Sequence, residues 1–119
     1  ADDDDLRFKT ALERFFKKNL QRLPSLDETA VHMRVSPRSL NNHCRRLYGI
    51  SPIRAFMKLK MELALVLLNE TDMSIKEISA YLGFKNPYHF TKAFKRALTY
   101  PPSKVRLKTG PTNPRKAPS

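Results

Sequence analysis

Apolar residues recur along this chain at spacings of three and four, the period of a helix buried on one side, and sustained alternation of the strand type is absent. Leu6, Ala11, Leu12, Phe15, Phe16 and Leu20 form the first stripe and predict a helix from about Asp4 to Gln21, ended by Arg22-Leu23-Pro24. Its leading aspartates suit the positive end of the helix dipole. Ser25-Leu26-Asp27-Glu28 reads as a capping box, in which the serine accepts from the Glu28 amide while the carboxylate reaches back, so a short helix should run to about Met33. Ser36-Pro37 supplies an N-cap and a proline at the first helical position, and Gly49 closes that helix after Tyr48. Ser51-Pro52 opens a longer helix to about Asn69. Ser74-Ile75-Lys76-Glu77 is a second capping box, with a helix ending at Leu82-Gly83. Asn86-Pro87 starts the next helix, which runs to about Leu98 and stops before Pro101-Pro102. Ser103 to Leu107 allows one last turn. The expected fold class is therefore all-α, with about seven helices and a structured region over 6–107. An acidic lead-in occupies 1–5, and a basic, proline-rich tail over 108–119 has too little apolar content to order itself.

The pattern repeats. Ser25-Leu26-x-Glu28 matches Ser74-Ile75-x-Glu77 at an offset of 49, as Met33 matches Leu82. After the turn the offset becomes 50: Pro37 matches Pro87, Leu40 matches Phe90, Arg45-Arg46 match Lys95-Arg96, and Pro52 matches Pro102. One residue is thus inserted in the second turn, near Gly83-Phe84-Lys85-Asn86. Each copy is a short capped helix, a tight turn and a longer helix begun by proline, which is the helix-turn-helix pattern, and the long helix opened by Pro52 joins the two. Two copies are too few for a solenoid.

Periodicity sorts the second helix of each copy into faces. Leu40, Cys44 and Leu47 should be buried in the first, leaving Arg38, Asn41, Asn42 and Arg45 outside. Phe90, Ala93, Phe94 and Ala97 should be buried in the second, leaving Tyr88, Thr91, Lys92 and Lys95 outside. Arginine, asparagine and lysine are side chains that hydrogen-bond guanine and adenine edges in the major groove.

Charge sharpens this picture. The 119 residues hold 23 Lys or Arg against 11 Asp or Glu, a formal charge of +12. Such an excess favours a polyanionic partner, nucleic acid or an anionic surface. No acid occurs between Thr29 and Met61, or after Glu77, although bases continue through both stretches. A charge run by itself is equally consistent with a solvated face; its coincidence with the repeat and with the polar helix faces favours duplex readout. The longest apolar run, Leu63 to Leu68, is too short to span a bilayer, so no membrane role is expected. The chain opens on acidic residues without an initiator Met, which suggests a part excised from a longer protein. The one cysteine, Cys44, points to a reducing compartment and to a small core side chain. His32, His43 and His89 lie on three separate helices without paired ligand spacing, so no metal site and no cofactor are expected. No nucleophile–base set, phosphate-cradling glycine loop or carboxylate pair assembles, so the chain does not read as an enzyme. The phenylalanines Phe15, Phe56, Phe84, Phe90 and Phe94 read as core rather than as a platform for stacking single-stranded bases.

From Ile78 to Arg96, with its Gly83-Phe84 turn and the Phe90-x-x-x-Phe94-Lys95 helix, the chain resembles the AraC/XylS family of bacterial transcription regulators. Ser36-x-x-x-Leu40, Gly49-Ile50-Ser51-Pro52 and the Leu-rich Glu62 to Leu68 also fit, and the resemblance covers about Leu6 to Leu107. It implies two helix-turn-helix subdomains joined by a long linker helix, with the helices 37–48 and 87–98 entering successive major grooves about one turn (~34 Å) apart. It assigns base reading to Arg38, Asn41, Asn42 and Arg45 in the first unit, and to Tyr88, His89, Thr91 and Lys92 in the second. Ser36, Arg46, Lys85, Asn86, Lys95 and Arg96 are the expected phosphate contacts. A cytoplasmic activator binding promoter DNA, contacting RNA polymerase and carrying an effector or dimerisation domain elsewhere in the parent chain, is what the family implies. Departures occur at Cys44, where phenylalanine is usual, at Ser79 and at Lys60-Met61. Thr99-Tyr100-Pro101-Pro102 replaces the usual Gly-x-Ser-Pro, so a tighter or strained cap is expected there. The first unit is expected to carry most of the specificity and the second to anchor it. A nonspecific nucleic-acid binder and a module for acidic protein partners remain the rival readings.

Overall fold

The computed structural model describes residues 3–109. Among them are α1 (Asp3–Lys18), α2 (Leu26–Met33), α3 (Pro37–Tyr48), α4 (Pro52–Glu70), α5 (Ile75–Tyr81), α6 (Pro87–Leu98) and α7 (Pro102–Thr109), with no strand. The chain forms two compact units, Ala1–Leu59 and Lys60–Ser119, and α4 contributes its first part to one and its second to the other.

The local signals act as anticipated. Both capping boxes are complete: Ser25 Oγ accepts from the Glu28 amide at 3.0 Å while Glu28 accepts from the Ser25 amide at 2.9 Å, and Ser74 and Glu77 do the same. Each such cap satisfies two of the four amides that a helix start leaves without intrahelical partners.

In the first unit α1 packs on α2 and α2 on α3. Leu12, Phe16, Leu20, Ala30, Leu40, Cys44, Ala55, Phe56 and Leu59 are buried, with Phe16 and Phe56 edge to face at 5.0 Å between ring centres. Two expectations for α1 fail. Leu6 is 62% exposed, and it is Phe8 that continues the Leu12, Phe16 row at fourfold spacing, stacking on His43 at 4.1 Å. The helix also stops at Lys18 rather than Gln21, because the Asn19 amide turns back to the Phe16 carbonyl and its side chain donates to the Phe15 carbonyl at 2.7 Å. Phe15 is only half-buried, stacked on His32 at 4.2 Å.

In the second unit α5 packs on α6 and α6 on α7. Met61, Ala64, Leu68, Ile78, Leu82, Phe90, Phe94 and Val105 are buried. A run of ring contacts passes from Phe84 through Phe90 and Phe94 to Tyr100, each step between 5.5 and 5.9 Å. Lys60 is buried too, its ammonium 4.9 Å from the centre of the Phe84 ring. Ala97 is exposed, contrary to the expected stripe; the buried row follows Phe90 and Phe94 to the half-buried Leu98. The last helix is longer than one turn. It runs from Pro102 into Lys108 and Thr109, which the composition had assigned to the tail; residues 110–119 of that tail lie outside the described part. The Arg106 guanidinium holds α7 to the end of α4, donating to the carbonyls of Leu68 at 3.3 Å and Thr71 at 3.1 Å, where a cation is favoured by the helix dipole.

Candidate nucleic-acid interface

The candidate base-reading helices begin at side-chain caps. Ser36 Oγ accepts from the Ser39 amide at 3.0 Å, and Asn86 Oδ1 accepts from the His89 amide at 2.9 Å. Pro37 and Pro87 follow as first helical residues, leaving the main-chain amides of Arg38 and Tyr88 outside the intrahelical ladder. Neither first turn contains an acid, and both last turns are basic, with Arg45-Arg46 and Lys95-Arg96. The two helices therefore carry cations and no carboxylate, and start with main-chain amides open to an acceptor, the electrostatics a phosphate backbone needs.

On α3, Leu40 and Cys44 are fully buried while Arg38, Asn42 and Arg45 are exposed; Asn41 is half-buried. On α6, Phe90 and Phe94 are fully buried while Tyr88, His89 and Lys92 are exposed; Thr91 is half-buried. Each set of four thus lies along one helix and away from its core. Tyr88 is 66% exposed, and the Lys92 ammonium sits 5.6 Å from its ring centre, one helical turn on. His89 meets the same ring edge to face at 5.8 Å. Lys85, Lys95 and Arg96 are exposed.

Arg46 is different. Its guanidinium donates to the Asp5 carboxylate at 2.7 Å and lies 2.9 Å from His43 Nδ1. That bond to Arg46 holds the Asp5 carboxyl below its ordinary range. Across the same packing surface Tyr48 donates to Glu13 at 2.9 Å. Asp3, Asp4 and Asp5 therefore form the first turn of α1, which Asp5 clasps to α3. No signal in the sequence pairs Asp5 with Arg46, because the two are 41 positions apart.

The turns of the two units superimpose in their hydrogen bonds. The amide of Val35 donates to Ala30 and that of Arg34 to Val31; at the 49-residue offset Phe84 donates to Ser79 and Gly83 to Ala80. Both turns require a left-handed residue, which is Arg34 (φ 59) in the first and Gly83 (φ 82) in the second. The inserted residue falls after it, so Phe84 and Lys85 separate Gly83 from its N-cap where Val35 alone separates Arg34 from Ser36.

A family model described as a helix-turn-helix domain matches residues 29–108, from the first capped helix through α7. An AraC-type regulator structure from Chromobacterium violaceum superimposes with a TM-score of 0.79 at 23% identity, over 92% of this chain and 97% of that one. The chain belongs to the AraC-type helix-turn-helix family. The DNA-binding domain of AdpA, solved in complex with a target DNA, has the same fold: TM-score 0.74 at 22% identity, over 89% of this chain and 96% of that one. Among curated proteins, the HTH-type transcriptional regulator GbdR of Pseudomonas aeruginosa is 36% identical over 88 residues, 74% of this chain but only 24% of GbdR. This AraC-type domain thus spans about a quarter of the length of that relative. Among the described residues no cluster of His, Cys, Asp or Glu could hold a metal ion, and no helix is long and apolar enough to cross a membrane.

Proposed function

We propose that this AraC-type domain reads promoter DNA by sequence, with α3 and α6 as the helices that enter the major groove. The observation that carries this is the pair of acid-free, side-chain-capped helices, each burying one apolar row and exposing donors on the other side. Arg38, Asn41, Asn42 and Arg45 read bases from α3, and Tyr88, His89, Thr91 and Lys92 from α6. Ser36, Lys85, Asn86, Lys95 and Arg96 take phosphates. Arg46 joins them by exchanging Asp5 for a phosphate oxygen, a small cost for an ion pair at the surface. The α3 face is richer in bidentate donors, so the first unit carries most of the specificity and the second anchors it. In the parent protein the domain serves a cytoplasmic bacterial activator that contacts RNA polymerase and carries an effector or dimerisation domain elsewhere.

Selection from randomised duplexes tests the reading directly. A single enriched site is expected. On that site Arg38→Ala or Lys92→Ala should weaken binding by ~1–3 kcal/mol and relax preference at one base pair. Lys95→Ala should weaken all duplexes alike. No enrichment over scrambled duplex would leave a nonspecific binder, and no duplex binding at moderate salt would leave a module for acidic proteins.

A further inference from the structure

Arg34 occupies a backbone conformation that suits glycine. Its φ of 59 and ψ of 41 are left-handed, and the second unit, with the same pair of turn hydrogen bonds, places Gly83 there. A Cβ in this region crowds the following carbonyl; among other residues only Asn and Asp visit it readily. The first unit therefore keeps a long cationic side chain at a position where the fold favours none.

Among the described residues no hydrogen bond or ion pair ties that side chain to the fold, and Arg34 is exposed. No Asp or Glu lies between Thr29 and Met61 to attract it along the chain. It stands two residues before Ser36, the cap of α3, and four before Arg38. Strained residues persist where something beyond the local fold compensates them. Resting on the DNA-reading assignment above, we infer that Arg34 is a further DNA-binding residue: its guanidinium contacts a backbone phosphate beside the groove that α3 enters, and the left-handed strain is retained for that contact. A guanidinium suits this role because it stays charged and donates from a planar fork. The second unit, one residue longer in its turn, carries its cation on Lys85 instead and leaves the left-handed position to glycine.

The test uses the intact chain with Arg34→Gly and Arg34→Lys, read by thermal unfolding and by duplex affinity across a salt series. Arg34→Gly should raise Tm by roughly 4 °C, as relief of strain predicts. It should at the same time weaken binding about tenfold and flatten the slope of log K against log salt by about 1. Arg34→Lys should keep the salt slope and the lower Tm. If Arg34→Gly leaves affinity and slope unchanged, the inference is overturned. If it lowers Tm, Arg34 serves the C-terminal dipole of α2 and the strain argument fails. Scrambled duplex separates this from the broader reading. Equal wild-type binding to selected and scrambled duplexes sinks sequence reading alone, and the slope change on scrambled duplex still upholds Arg34. A wild type that binds no duplex overturns both.

Discussion

Thr99 closes α6 with φ 71, in the left-handed region, where the corresponding residue of the first unit is Gly49 with φ 75. The two caps make the same bond: the Thr99 amide donates to Lys95 at 2.7 Å, and the Gly49 amide to Arg45 at 2.9 Å. Exchanging the two residue types should therefore change strain and little else. A left-handed residue with a Cβ costs roughly 1–2 kcal/mol, and branching at Cβ puts threonine towards the upper end. Glycine gives back about 0.4–1 kcal/mol through the greater freedom of its unfolded chain. Thr99→Gly should thus stabilise the second unit by about 1 kcal/mol; the Thr99 side chain is exposed, so few contacts are lost. Thermal unfolding followed by circular dichroism should show a rise of roughly 5 °C in the transition of that unit. The reciprocal change is cleaner still. A Cβ at Gly49 meets nothing within 4 Å, so Gly49→Ala introduces no clash and should lower the stability of the first unit by about 1 kcal/mol. A Gly49→Ala protein with unchanged melting, or a Thr99→Gly protein that melts lower, would refute the assignment of strain to these caps.

Two further outcomes concern single groups. Glu28 has its pKa lowered to about 2, first by the Arg22 guanidinium and then by the Ser25 amide, so its folded value lies below the ordinary 4.5. A depressed folded pKa adds stability above the unfolded value and loses it as pH falls through the folded one. The melting-temperature gap between wild type and Glu28→Gln should accordingly be full above about pH 4.5 and close towards about pH 2; a gap independent of pH would show that the charge is not involved. Cys44 is fully buried, and burial pushes its thiol up to about 11. Alkylation of the folded domain at pH 8 should run ~100-fold or more below that of the unfolded chain, and a rapid labelling burst would place the thiol at the surface instead.

How much of this was readable in the sequence depended on the range of the forces involved. The starts of α2 to α6 were legible, because a serine or asparagine cap acts over three residues and a proline acts on its own φ, whereas α7 begins at Pro102, one residue before the expected Ser103. The repeat, its one-residue insertion and the exposure of Arg38, Asn42, Arg45, Tyr88, Lys92 and Lys95 followed from the residue pattern; Asn41 and Thr91 are half-buried instead, and His89 was singled out only by the family resemblance. Against the family's usual Gly-x-Ser-Pro, Thr99-Tyr100-Pro101-Pro102 even pointed to a tighter or strained cap, and Thr99 is left-handed there. The equivalent strain at Arg34 has no such mark in the sequence, because it is the hydrogen bonds of the turn that give Arg34 the left-handed backbone Gly83 has in the second unit.

Periodicity alone also misplaced Leu6 and Ala97. Both lie near helix ends, where the width of the buried face is set by whatever packs alongside. For α1 that is the His43 ring, which takes Phe8 rather than Leu6. Three arrangements belong to tertiary structure alone: Asp5 with Arg46, Tyr48 with Glu13, and Arg106 on the end of α4. Each joins residues more than 30 positions apart, and no local rule selects one such partner over the other charges on the same helix. What the sequence by itself determined were the helices, their caps and the helix-turn-helix repeat, all governed by bonds that close within one or two turns. Which cations remain free for a phosphate, and which are already held by the fold, was decided only by packing, because hydrophobic contact between distant helices chooses which charges meet.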